Sequence, residues 1–125
     1  MNPPDREIEC TIPILPVGDL ERSIQFYTET LGFKLDWRSG SIGSVSRDGC
    51  AIMFRQSNAV TAPCWVWIGL ESDALFHLYR ERGVKILQEP MNWSWAYEMK
   101  FEDPDGNVLW LGTEPRDDQP KQDMP

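Results

Sequence analysis

At 125 residues the chain is long enough for one domain, or for two small half-domains sharing a core. Its 12 basic and 20 acidic residues give 12 − 20 = −8, a balance that repels nucleic acid and anionic membranes and attracts basic ligands. No apolar run reaches the ~20 residues that span a bilayer.

Residues 1–7 lack the basic start and apolar stretch of a signal peptide and read as an N-terminal arm. Cys10, Cys50 and Cys64 form neither an even set nor a C-x-x-C pair, so free cysteines in the cytoplasm are expected. The first folding unit spans 8–58. Residues 9–17 are an apolar, β-leaning run, and Asp19 then stands as an N-cap before Leu20, Ile24, Tyr27 and Leu31 at helical spacing. Gly32 is placed to end that helix. Residues 33–37, 41–46 and 50–56 read as strands, with Asp48-Gly49 as a hairpin turn.

The second unit, 59–113, repeats the order. It predicts a strand over 64–70, a helix capped by Ser72 and carrying Leu75, Leu78 and Tyr79, and strands over 84–87, 97–102 and 107–112. Phe26-Tyr27 before Gly32-Phe33-Lys34 is echoed by Leu78-Tyr79 before Gly83-Val84-Lys85. The predicted fold is α+β: two tandem βαβββ units forming a cupped mixed sheet with helices on the outer face. Pro, Asp and Gln dominate from Glu114, so 114–125 is expected to be a disordered tail.

Six tryptophans are the chemical signal. Side chains alternate along a strand, so Trp65 and Trp67 project from one side while Val66 and Ile68 turn to the core. Two neighbouring indoles suit a flat aromatic binding surface. Trp95 joins them as a first candidate for stacking, Trp37 and Trp93 come next, and Trp110 lines the floor. Glu98 would meet either a ligand cation or a neighbouring arginine such as Arg38 or Arg55. His77 is the only histidine and falls mid-helix, and no G-x-S-x-G, P-loop, G-x-G-x-x-G or H-E-x-x-H motif occurs. No catalytic residue, metal ligand or cofactor is therefore expected.

The segment from Val17 to Tyr27 with Leu31-Gly32-Phe33, and the turn Asp103-Pro104-Asp105-Gly106-Asn107, resemble the vicinal oxygen chelate superfamily over residues 8–114. That superfamily includes glyoxalase I, extradiol dioxygenases and bleomycin-resistance proteins. The resemblance places Ile12, Met53, Trp67 and Trp110 where its metal enzymes hold ligands, which implies a member without a metal. Trp65-Val66-Trp67-Ile68 and Trp95-Ala96-Tyr97-Glu98-Met99 resemble the W-V-W-V and W-G-x-E-F segments of the bleomycin-resistance proteins, and Pro16 their proline-containing first strand. Ala96, Tyr97 and Trp110 depart from that pattern.

This resemblance implies a non-catalytic homodimer that sequesters a planar, cationic antibiotic of the bleomycin type. Its ligand would be lined by Ile12, Trp37, Met53, Arg55, Trp65, Trp67, Trp93, Trp95, Glu98 and Trp110. Two other readings compete: a metal-independent or atypical enzyme of the same superfamily, and a domain whose tryptophans form only a dimer interface.

Overall fold

Two successive four-stranded mixed sheets, each carrying one helix, make up the computed structural model, which describes residues 5–59 and 62–123. Residues 1–4 of the expected arm, 60–61 at the start of the expected second unit and 124–125 of the tail lie outside the described residues. The first unit runs β1 (Ile14–Val17), α1 (Leu20–Gln25, continued by a π-helical turn Phe26–Thr30), β2 (Lys34–Ser39), β3 (Ile42–Arg47) and β4 (Cys50–Gln56). The second runs β5 (Trp65–Gly69), α2 (Ala74–Glu81), β6 (Lys85–Asn92), β7 (Tyr97–Glu102) and β8 (Val108–Thr113). The spatial orders are β1-β4-β3-β2 and β5-β8-β7-β6, with the first two strands of each parallel. The repeat read from the sequence is thus the repeat that is built.

Local chemistry explains the elements and their deviations. Asp19 caps α1 by accepting from the Arg22 amide at 3.1 Å. Asp48 (φ 50°) and Gly49 (φ 78°) take the left-handed conformations that a two-residue hairpin turn demands. Strand β1 is shorter than the run from 9 suggests; Pro13 and Pro16 lack the N–H that a longer ladder needs. Strand β6 continues to Asn92, beyond the expected end, by pairing with β7 through two register shifts.

The helix-bearing faces of the two units meet in one core. Leu15, Val45 and Phe54 of the first sheet, the helical Leu20, Ile24 and Tyr27, and Phe76, Tyr79, Phe101 and Leu111 of the second unit belong to a single buried cluster. Polar bonds clasp the seam. Tyr79 donates to the Leu31 carbonyl at 2.6 Å, Tyr27 to Asp103 at 2.8 Å, and the Asn107 side chain to the Pro16 carbonyl at 3.0 Å. Asp105 accepts from the Gly18 amide, the Ser23 hydroxyl and Arg22. The Asp-Pro-Asp-Gly-Asn turn is therefore a latch between units, with Gly106 at φ 84°. The other face of each sheet points away from this shared core.

Residues after 114 were expected to be disordered, yet up to Asp123 they are hydrogen-bonded to the end of β6. The Asn92 side chain donates to the carbonyls of Arg116, Gln119 and Pro120 and accepts from the Arg116 amide. Gln122 bonds to Asn92 and Ser94 through the backbone, and the Arg116 guanidinium lies 4.6 Å from the Tyr97 ring. Composition does not register a single buried asparagine with four backbone partners. Asn92→Ala should accelerate hydrogen exchange at the Gln122 and Ser94 amides by about tenfold or more, consistent with roughly 1–2 kcal/mol of lost local stability. Unchanged exchange would mean that the tail is held by other contacts.

Candidate functional site

The site grows from the parallel pair β5 and β8. Register places Trp67 beside Trp110 and, one pleat further on the same face, Gly69 beside Gly112. A Cβ on Gly69 would lie 2.8 Å from Cζ3 of Trp67, and one on Gly112 would lie 2.9 Å from its Cζ2. The indole of Trp67 therefore rests across two glycines, a seat that any side chain would fill. Its Nε1 donates to Oε2 of Glu98 at 2.7 Å. Glu98 is wholly buried, and its Oε1 has no partner. The partner of Glu98 is thus an indole rather than an arginine; Arg38 pairs with Glu21 instead.

Three further indoles complete a platform. Trp95, on the turn between β6 and β7, lies 6.3 Å from Trp67 and 6.0 Å from Trp110 between ring centroids. Trp65 meets Trp110 edge-on at 5.8 Å. Both geometries fall in the range of favourable aromatic contact. Trp65, Trp67 and Trp95 remain 58%, 48% and 48% exposed, so the platform is open to a ligand. Lys100 lies on it as well, its Nζ 4.3 Å from the centroid of Trp110 and 5.3 Å from that of Trp65.

Five of the ten residues expected to line a ligand converge here: Trp65, Trp67, Trp95, Glu98 and Trp110. Trp37, Met53 and Arg55 lie elsewhere, on the outward face of the first sheet. There Ile14, Met53, Ser44 and Trp37 form one row across the strands, and Pro16, Arg55 and Ile42 the next. Ile12 precedes β1 and, with Trp67, borders a cavity of about 430 Å³ between the units, walled by Phe33, Ile52, Val66 and Leu111. Trp93 is buried, and its backbone bridges Gln122; it makes no ring contact with the platform among the described residues.

Sequence reasoning missed Lys100, Gly69 and Gly112. Two signals could have found them. Trp67-Ile68-Gly69 and Trp110-Leu111-Gly112 are the same W-x-G pattern in paired strands, and Lys100 stands two residues from Glu98, hence on its face.

Among the described residues no group of three or more His, Cys, Asp or Glu side chains converges. His77 is exposed on α2, 3.3 Å from Asp73. The acids whose pKa is raised sit in the seam instead. Burial, reinforced by the Asp103 carboxylate, holds the Tyr27 phenol well above its ordinary range. Burial also raises Asp103, against the hydrogen bonds from Tyr27 and Asn107 that lower it. The platform offers ring faces, one buried carboxylate and one ammonium: equipment for binding.

The model of the Glyoxalase/Bleomycin resistance protein/Dioxygenase superfamily matches residues 9–63, the first unit. No curated protein matches the chain. Solved structures match across both units. A glyoxalase/bleomycin resistance protein/dioxygenase from Nocardioides is 21% identical with a TM-score of 0.73, covering 94% of this chain and 90% of that one. An integron cassette protein from the mobile metagenome of the Halifax Harbour sewage outfall is 24% identical with a TM-score of 0.75, covering 85% and 99%. A glyoxalase/bleomycin resistance protein/dioxygenase from Alicyclobacillus acidocaldarius is 18% identical with a TM-score of 0.74, covering 88% and 94%. At such identities the structures show the fold alone. The family match on the first unit and the structural matches over both units agree on one fold, that of the glyoxalase/bleomycin resistance/dioxygenase structures.

Proposed function

We propose that the protein binds a planar-ring small molecule without transforming it, sequestering an antibiotic of the bleomycin type, and that it does so as a homodimer. The observation that carries this reading is the indole platform. It rests on two glycines and a buried carboxylate, yet leaves three large rings about half exposed. A soluble fold rarely leaves so large an apolar patch uncovered without a use for it. Each base-like ring stacked on an indole contributes roughly 1–3 kcal/mol. Nanomolar sequestration needs about 12 kcal/mol, so several rings must take part. The outward face of the first sheet, with Ile14 52% and Trp37 44% exposed, is the natural cover for the platform of a second copy. That pairing would bring Trp37, Met53 and Arg55 to the ligand.

The test is a tryptophan-fluorescence titration with metal-free and copper-loaded bleomycin, with the drug's mass checked afterwards and the oligomeric state followed by sedimentation. Saturable quenching by a dimer, with the drug recovered unchanged, is the expected result. A changed mass would favour the atypical enzyme. Fluorescence that responds to dilution and to no drug would reduce the platform to a dimer interface.

A further inference from the structure

The charges and unpaired donors around the platform say more about its ligand than the indoles do. One row of the outward face of the second sheet runs Trp67, Trp110, Lys100, Gln88 across β5, β8, β7 and β6. Three of these four side chains carry a hydrogen-bond donor with no acceptor. Trp110 Nε1 and Gln88 Nε2 are buried without a partner, and Lys100 pairs with no carboxylate among the described residues. The other lysines all do: Lys34 with Asp36, Lys85 with Glu102 and Lys121 with Asp117. In a chain of net charge −8, a lysine without a carboxylate is the exception. Glu98 does not serve it, since one of its oxygens is bound to Trp67 and Lys100 lies over the rings of Trp110 and Trp65. Buried donors without acceptors are costly, and each calls for an explanation.

A second copy does not supply the missing acceptor by the pairing described above. The rows of that face that hold Met53 and Arg55 contain no carboxylate, the carboxylate of the next row, Asp36, is taken by Ser46 and Lys34, and Arg55 itself is another cation with no carboxylate partner among the described residues. Two faces closed on each other would bring Lys100 and Arg55 together beside the half-engaged Glu98, while Glu102 is held by Lys85 and Asp36 by Lys34. Lys100 also already occupies the faces of Trp65 and Trp110, where a ligand cation would otherwise seek its cation–π contact.

We infer that the ligand's planar ring system bears an acidic or strongly accepting group, a carboxylate or an enolate, received by Lys100 with Gln88 beside it. This inference rests on the small-molecule-binding reading and departs from the expectation of a planar, cationic ligand. Any cation the ligand also carries is left for Glu98. Lys100 would then be a specificity-determining residue, selecting an aromatic acid over the same ring without the acid.

The test uses three ring probes on the full chain by isothermal titration: quinoline, quinoline-2-carboxylate and 2-(aminomethyl)quinoline. The carboxylate should bind about tenfold or more tightly than quinoline, with the difference shrinking as salt is raised. Lys100→Met, which keeps the stem over the rings, should abolish that preference, and Lys100→Arg should retain most of it. A carboxylate that binds no better than quinoline or the ammonium probe overturns the inference while leaving a ring-binding protein. So does an unchanged preference in folded Lys100→Met. No binding of any probe removes the binding reading itself, and this inference with it.

Discussion

Trp67→Ala is expected to weaken ring binding by about a hundredfold and to destabilise the fold by roughly 2–4 kcal/mol. The two losses have separate causes. Binding falls because the ring that faces Trp95 at 6.3 Å is removed from the centre of the platform. Stability falls because Glu98 is buried with a single donor, the Trp67 Nε1–H at 2.7 Å, and would be left with none. Trp67→Phe separates them. It keeps an aromatic face over Gly69 and Gly112 but cannot donate to Glu98, so it should retain much of the binding and lose most of the same stability. Urea denaturation and a fluorescence or calorimetric titration on both variants read the two effects. If Trp67→Ala unfolds at the wild-type urea midpoint, Glu98 is finding solvent or another donor, and the account of a carboxylate held by an indole is wrong.

The division between what was legible in the sequence and what was not follows the range of the interactions. Asp19 before an apolar helical stripe, the Asp48-Gly49 turn and the repeated Gly32 and Gly83 endings are local, and each produced its element. Strand parity placed Trp65 and Trp67 on one face because that needs only the alternation of side chains. Which residues then share the face is a matter of register between strands distant in sequence. That is why alternation could put Lys100 on the face of Glu98 but could not put it beside Trp110, with which it is in register from β7.

Trp93 shows the opposite failure. It sits two residues from Trp95 and is the same residue type, but a short turn closed by its own amide to the Ala96 carbonyl turns the two apart. One ring joins the platform and the other is buried, its backbone bridged to Gln122. The same turn shows why Glu98 could not be assigned a partner: an indole donor thirty-one positions away leaves no trace in composition or spacing.

Asp103→Ala is expected to cost about 3–4 kcal/mol, the largest stability loss among the seam residues, because one carboxylate closes the latch between the units. It accepts from the Tyr27 hydroxyl at 2.8 Å, from the Asn107 side chain at 3.0 Å, and from the backbone amides of Asp105 and Asn107 at 2.9 Å. Tyr27→Phe removes one of these bonds and should cost about 1.5–3 kcal/mol. The double variant should cost less than the sum, because the two share that bond. The carboxylate also predicts a pH dependence with a definite sign. Burial raises the folded carboxyl above its ordinary 3.8, so the folded state holds this proton more tightly than the unfolded chain does. This group's contribution to stability therefore falls as pH rises from about the unfolded value through the raised folded one. Asp103→Asn removes the titration. The difference in unfolding free energy between wild type and Asp103→Asn, followed by urea titration across pH 3 to 7 or so, should shift against the wild type as pH rises and level off above the folded pKa. A difference that moved the other way would mean that the hydrogen bonds outweigh burial at this carboxyl. The latch would then be an ordinary stabilised carboxylate, and its loss would weaken the seam most at neutral pH rather than in acid.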